Sequence, residues 1–279
     1  TGRVLGDCAD LRVVAFDGIS NTEIDRIVEN AGSSQTGVWF ALPVAIGPGA
    51  QDNGYYVYYG NASAGAPPAN GSNVFLFYED WEQGTTHWTN AGGLDGANTG
   101  TMGLSLISTL EAVSPGHSQQ FPTKAGGGDA FSGFIPVTPN GGYAIGVWGK
   151  SATNAYVPVG LDPYDAGKAK GTENWLWTNE WTVGAQWAQR SGRFTTPANA
   201  AFIKIKSEWW AEGPGTAPVY LDNLYLRRSL ASEPGVVAGN EETTLSVPVI
   251  SNIADTGPVE IGAAVTVSAT VATADGTID

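Results

Sequence analysis

Residues 75–88 read FLFYEDWEQGTTHW, an apolar strand that runs directly into an acidic turn. The fold is decided there together with a second stretch, VYLDNLYL at residues 219–226. That run is rich in β-formers and carries Asp222 in the middle of otherwise apolar alternation. A carboxylate in such a place needs a cation or a hydrogen-bond donor, because an isolated ionised group is costly to take out of water.

Outward from these two stretches the composition is that of short strands and turns. The 279 residues hold 38 glycines, 16 prolines and 10 tryptophans, with almost no run of strong helix formers, which predicts an all-β chain with room for two ordinary domains or for one large β domain and fragments. Thirteen basic against 27 acidic side chains leave a net charge of −14, which repels phosphate backbones and anionic lipid, so nucleic acid is not an expected partner. The balance of low Lys with high Gly, Thr, Asn and Trp is common in secreted proteins and sets the expectation of an extracellular or cell-surface location. Cys8 is the only cysteine, so the fold is held without an internal disulfide. The longest apolar run, residues 38–46, is broken by Pro43 and is far short of a membrane span. No targeting segment is visible, and a chain that opens on Thr1 in mid-pattern reads as a piece of something longer.

The two opening stretches resemble the first and last strands of carbohydrate-binding modules of families 4 and 9. Asp80, Trp81, Glu82, Gly84 and Trp88 fall on the opening pattern of those modules, and Tyr220, Leu221, Asp222 and Leu224 on the closing one. Tyr78-Glu79 stands where the modules have Asn-Gly, and Asn223 where they have a second Asp. The resemblance covers about half the chain and implies a jelly roll whose first and last strands meet beside a structural calcium ion. On this chain it assigns Glu82 and Asp222 as side-chain ligands.

Three phrases before residue 74, DLRVVAFDG, GVWFALPVAI and GYYVYYGNASAG, read as strands bounded by turns. They resemble a domain of unknown function, number 2341, through Asp10-Leu11-Arg12, Trp39 to Pro43 and Tyr56 to Asn61. The further strands that family carries ahead of its D-L-R phrase are missing, so the reading is of a partial β domain over 1–74. Residues 63–73, SAGAPPANGSN, have the composition of a linker, and Asn61 and Asn70 stand in glycosylation sequons. The middle module is expected over 75–228. Within it AFIKIKSEW alternates, with Phe202, Lys204, Lys206 and Glu208 on one parity and Ile203, Ile205 and Ser207 on the other, as a strand with one core face and one solvated face. QWAQRSGRF with Thr196-Pro197, and VGLDPYDAG followed by NWLW, resemble further strands of such modules and their relatives. Residues 229–244 read as a second linker. Residues 245–279 look like the opening strands of an Ig-like sandwich, too short to complete one.

Little supports nucleophilic or metal catalysis. Cys8 has no His near it in sequence, His87 and His117 lack a metal-ligand spacing, and the glycines at 126–128 open no helix. Glycoside cleavage needs only two carboxylates, for which Glu180, Glu208 and Glu212 are the candidates. The aromatics point instead to binding. Trp175, Trp177 and Trp181 share one parity, with Tyr156 and Tyr164 upstream; an exposed row of indoles stacks on the apolar faces of sugars while Asp162 or Glu180 accepts from hydroxyls. A place in the core is the competing role for Trp175 and Trp177, and the expected one for Trp81, Trp88, Trp148 and Trp187. The reading is therefore of an all-β chain: a jelly-roll β-sandwich flanked by a partial β domain and a partial Ig-like sandwich. Its expected function is non-catalytic binding of a poly- or oligosaccharide, against the alternative of a structural subunit of an extracellular filament, sheath or surface layer. The two incomplete ends add the expectation of strand exchange with other copies of the chain.

Overall fold

A computed structural model describes residues 4–33, 36–47, 49–61, 63–84, 87–91, 106–113, 116–121, 128–152, 155–156, 159–172, 174–177, 182–209, 218–229, 235–236, 253–254 and 264–268. The chain forms two compact units, one of residues 1–76 with 229–279 and one of residues 77–228. Both are β-structures with antiparallel pairing, and among the described residues the only helix is the single turn α1 (Gly71–Val74).

In the first unit β1 (Arg12–Phe16) lies between β2 (Asn21–Ile24) and β6 (Tyr55–Tyr58), and β4 (Gly37–Ala41) pairs with β3 (Arg26–Glu29). Leu11, Val13, Val38, Phe40, Leu42, Ile46 and Tyr55 make its core. The polar residues of the N-terminal phrases tie these strands together. Buried Asp10 accepts from the amides of Leu5 (2.8 Å) and Gly60 (2.6 Å), joining the D-L-R phrase to the Y-Y-G-N phrase. Arg26, also buried, donates to the carbonyls of Leu11 and Cys8. Residues 63–74 do not run free as a linker would. The Pro68 carbonyl accepts from the amide of Arg26 and that of Gly65 from the Arg12 guanidinium, while the backbone amide of Asn70 and the side-chain Nδ2 of Asn73 donate to the Asp25 carboxylate.

The C-terminal segment differs from the expected separate Ig-like beginning. Its described strands, β21 (Ile253–Ala254) and β22 (Ala264–Ser268), pair with β5 (Gln51–Asp52) and with β4. β22 covers the side of β4 that β3 leaves open, and an open edge of five residues, with its row of unpaired N–H and C=O groups, is what draws a strand in. The strand expected to pair with another subunit thus finds its partner on its own chain.

The second unit is a jelly-roll sandwich of two sheets. One has the order β18 (Ala188–Thr195), β13 (Gly142–Ser151), β20 (Val219–Arg228), β10 (Ser118–Phe121), β9 (Leu106–Ser108), with β7 (Phe77–Glu79) also on β20. The other has the order β16 (Asn174–Trp177), β15 (Val159–Tyr164), β19 (Phe202–Trp209), β11 (Gly128–Ser132), β8 (Trp88–Ala91), with β12 (Ile135–Pro136) also on β19. A short pair, β14 (Ala155–Tyr156) and β17 (Thr182–Val183), stands apart. Alternate residues of the facing strands, among them Ile145, Val147, Val159, Leu161, Ile203 and Ile205, fill the space between the sheets. β20 departs from alternation, since Leu221, Leu224 and Leu226 all reach this core. The register with β13 slips between Gly146 and Trp148, and Asn223 takes φ 47°, so one extra residue is accommodated as a bulge and the leucines on both sides of it face inward. Gly146 is required beside this bulge: a Cβ there would stand 2.4 Å from the buried Tyr225 ring. Trp81, Trp88 and Trp148 are buried as expected of core residues, whereas Trp187 is only half-buried.

Candidate functional site

The second sheet turns one face to the core and the other away from it. Because Val159, Leu161, Ile203 and Ile205 point into the sandwich, the intervening residues of β15 and β19 line the outer face. The registers set them in rows across the strands: Tyr164 opposite Phe202, Asp162 opposite Lys204, and Gly160 opposite Lys206, which in turn faces Phe131 on β11. The alternation read in the sequence of β19 is therefore kept. Its outer side is not uniformly solvated, however, since Lys206 and Asp162 are each 1% exposed.

At one end of this face is an aromatic cluster. Phe134, in the connection between β11 and β12, is 36% exposed and meets Tyr164 and Phe202 edge-on, at centroid distances of 4.9 and 5.8 Å. Lys204 places its ammonium 4.4 Å from the Phe134 centroid and 5.8 Å from that of Tyr164, and Lys168, in the turn after β15, reaches the same Phe134 ring at 4.8 Å. The Asp162 carboxylate, directly across from Lys204 in register, goes instead to Lys170, whose Nζ lies 3.0 Å from Oδ2. That approach is outside the alignment of a good hydrogen bond, so charge holds the pair. Burial raises the pKa of the Tyr164 hydroxyl, with Asp162 adding to the effect, so the phenol stays a neutral donor and acceptor near neutral pH.

Of the residues expected to bind sugar, the structure brings Asp162 and Tyr164 together on this face. Trp175 and Trp177 lie on β16, the edge strand beside β15, and pair with Gly160 and Val159 respectively. The register slips between those two pairs, so the even two-residue step assumed for 175–177 is not kept there. The Trp175 position ends the row that runs through Gly160, Lys206 and Phe131. Tyr156 is on β14, in the separate two-stranded pair. The side chains of Tyr156, Trp175 and Trp177 lie outside the described residues, as does Trp181 altogether. The same is true of Glu180 and Glu212, while the backbone of Glu208 pairs with that of Asp129. Phe134, Lys168 and Phe131 are the functional candidates the sequence reading missed. Phe134 stands between two strands without a periodic neighbour, and only the crossing of β15, β19 and the β11–β12 connection makes it part of a site.

The two expected calcium ligands are brought to a single loop, residues 109–117 between β9 and β10. Asp222 is fully buried; its Oδ2 accepts from the amide of Val113 at 2.6 Å and its Oδ1 from that of Asn223 at 2.7 Å. Glu82 accepts from the amide of His117 at 2.8 Å and meets His117 Nδ1 at 2.7 Å. A carboxylate oxygen that accepts one amide keeps a second lone pair, so each of these carboxylates retains the capacity to ligate an oxygen-seeking cation. Among the described residues no group of three or more Asp, Glu, His or Cys side chains forms, so backbone carbonyls would have to complete the shell.

Comparison with known proteins finds likenesses for both parts of the chain. No curated protein matches the chain. Among solved structures the chain is similar to a family 16 carbohydrate-binding module, at 20% identity over 53% of this chain and 94% of that one, with a TM-score of 0.38. It is also similar to the CBM22-1 xylan-binding domain of Paenibacillus barcinonensis Xyn10C, at 17% identity over 57% and 96%, with a TM-score of 0.42. A family 61 module in complex with β-1,4-galactotriose gives 17% identity over 54% and 94%, with a TM-score of 0.37. Residues 7–91 match the model of a domain of unknown function, DUF2341.

Proposed function

We propose that residues 77–228 bind a poly- or oligosaccharide on the outer face of the β15–β19 sheet, without cleaving it. The observation that carries this reading is the exposed Phe134 ring, set edge-on to Tyr164 beside polar groups, on a sheet face turned away from the core. A pyranose has an apolar C–H face that packs on an aromatic ring, and its hydroxyls need donors and acceptors at the rim, which the Tyr164 hydroxyl and the neighbouring lysines supply. Trp175, whose position on β16 ends the row through Gly160 and Lys206, extends the same proposal along the sheet. The setting that suits such a module is the surface or exterior of a cell. Among the described residues no helix is long and apolar enough to cross a membrane.

Titrating the full chain with a panel of neutral and charged oligosaccharides, read by calorimetry and tryptophan fluorescence, tests the reading. Phe134→Ala and Tyr164→Ala should each weaken binding by about 1–3 kcal/mol, the scale of an aromatic–base stacking contact. No heat and no fluorescence change across the panel would overturn it and leave the structural-subunit reading in its place. Part of the same proposal is a calcium ion at Glu82 and Asp222, holding the first and last strands of the module to the 109–117 loop.

A further inference from the structure

The lysines of this chain are not spread over its surface. There are six, Lys124, Lys150, Lys168, Lys170, Lys204 and Lys206, and the last four belong to β19 and to the turn that follows β15. In a chain of net charge −14 this gathers positive charge at the end of the sheet where the aromatic cluster lies. Two of the four make no ion pair: neither Lys168 nor Lys204 has a carboxylate within ion-pair distance among the described residues, Asp165 of the same turn holding the Ala169 amide, and both lysine side chains contact rings. Both ammoniums approach the same Phe134 ring, so their separation is capped by the sum of two distances under 5 Å. Asp162, the nearest acid in register, is taken by Lys170. Two like charges within that bound are both in reach of one ligand, and an anion between them lowers their mutual repulsion.

Resting on the reading of this face as a glycan site, we propose that its ligand is an acidic polysaccharide, one whose sugars carry a carboxylate, as uronic acids do. The apolar face of the sugar packs on Phe134 and Tyr164, and the carboxylate lies between the ammoniums of Lys168 and Lys204 as a charge-assisted acceptor. A neutral sugar would use the rings and offer the two cations only its hydroxyls, with no charge to balance theirs. Nucleic acid offers rings and anions too, but it carries one charge per about 1.7 Å of duplex, which the negative charge over the rest of the chain opposes. A uronan carries one charge per sugar. At physiological salt the screening length of about 8 Å leaves the two adjacent lysines dominant over distant acids.

The full chain titrated with short oligogalacturonates and oligoalginates, each beside its carboxyl-esterified counterpart, decides the matter, because esterification removes the charge and keeps the sugar. The acidic forms should bind about tenfold more tightly than the esters, as a pair of partly exposed charge contacts would give, and the advantage should shrink as salt is raised. Lys168→Gln and Lys204→Gln should each weaken binding of the acid more than binding of the ester, and so reduce the preference for the acid; Phe134→Ala should weaken both alike. Equal affinity for acid and ester, or a preference untouched by both lysine variants, overturns the acidic-ligand inference and leaves the glycan-binding reading standing. Failure to bind any of these or neutral xylo- and gluco-oligosaccharides overturns both. Tighter binding of single-stranded DNA than of any uronan overturns the choice of ligand class.

Discussion

Glu79 is the residue on which the opening turn depends. It is 2% exposed, yet its carboxylate accepts from the Trp81 amide at 2.9 Å and from the Trp88 indole at 3.1 Å, and lies 2.9 Å from His87 Nδ1. Those bonds hold Trp81 at φ 56°, a left-handed backbone that a bulky residue adopts only when its surroundings impose it, with its ring stacked 5.9 Å from that of Trp88. Burial raises the Glu79 pKa above 4.5, and the Trp81 amide and His87 pull it back only in part. Asp80 next to it is raised for the same first reason, burial. A carboxyl whose folded pKa lies above its unfolded one binds its proton more tightly in the folded state. Its stabilising contribution is therefore complete below the unfolded pKa and is lost as pH climbs through the raised value. Glu79→Gln, which keeps the shape and cannot ionise, should gain stability relative to the parent as pH rises above 4.5. Urea unfolding of both proteins at a series of pH values measures this, and a stability difference that stays constant with pH would refute it.

At the scale of elements, β20 shows what was legible in the sequence and what was not. The run VYLDNLYL announced a buried strand with a carboxylate that needs a donor, and both hold: Leu221, Leu224 and Leu226 are core and Asp222 has two amide donors. The donor from Val113 was not legible, since it belongs to a loop with no periodicity, placed against Asp222 by the pairing of β10 with β20. The bulge at Asn223 was not legible either, because a break in alternation reads equally as a polar outward residue. At β16 the backbone register slips between the pairs made by Trp175 and Trp177, an irregularity that their equal spacing in the sequence does not announce. Glu82 and Asp222 each accept an amide of the β9–β10 connection, from His117 and Val113, and the calcium proposal belongs to that connection, since an ion held there would tie it to the ends of the module by stabilising the folded state alone. Adding a chelator to the full chain should lower the melting temperature of the second unit, added calcium should restore it, and Asp222→Asn should remove the difference. A midpoint indifferent to chelator means that the two carboxylates serve only as acceptors for backbone amides.

For the whole molecule the C-terminal segment is the decisive piece, because it returns to the first unit after the chain has built the second. β22 runs along β4 through five paired residues, from Ala264 opposite Ala41 to Ser268 opposite Gly37. On β4 itself Val38, Trp39 and Phe40 are buried. Among the described residues every strand pairing of 77–228 stays within 77–228, so the second unit owes none of its sheets to this segment. Deleting residues 245–279 should therefore act on one unit only. The edge of GVWFA would be left with a row of unpaired backbone groups on an apolar strand, the arrangement that recruits strands from other molecules. In scanning calorimetry one transition should move down, by roughly 4 °C for each kcal/mol lost at this size, while the transition of the second unit stays where it is. Light scattering should rise with concentration in the shortened chain, and supplying residues 260–272 as a peptide should reverse the rise by adding back the missing strand. If both transitions fall together the segment supports the whole chain; if neither moves, β22 contributes nothing to β4.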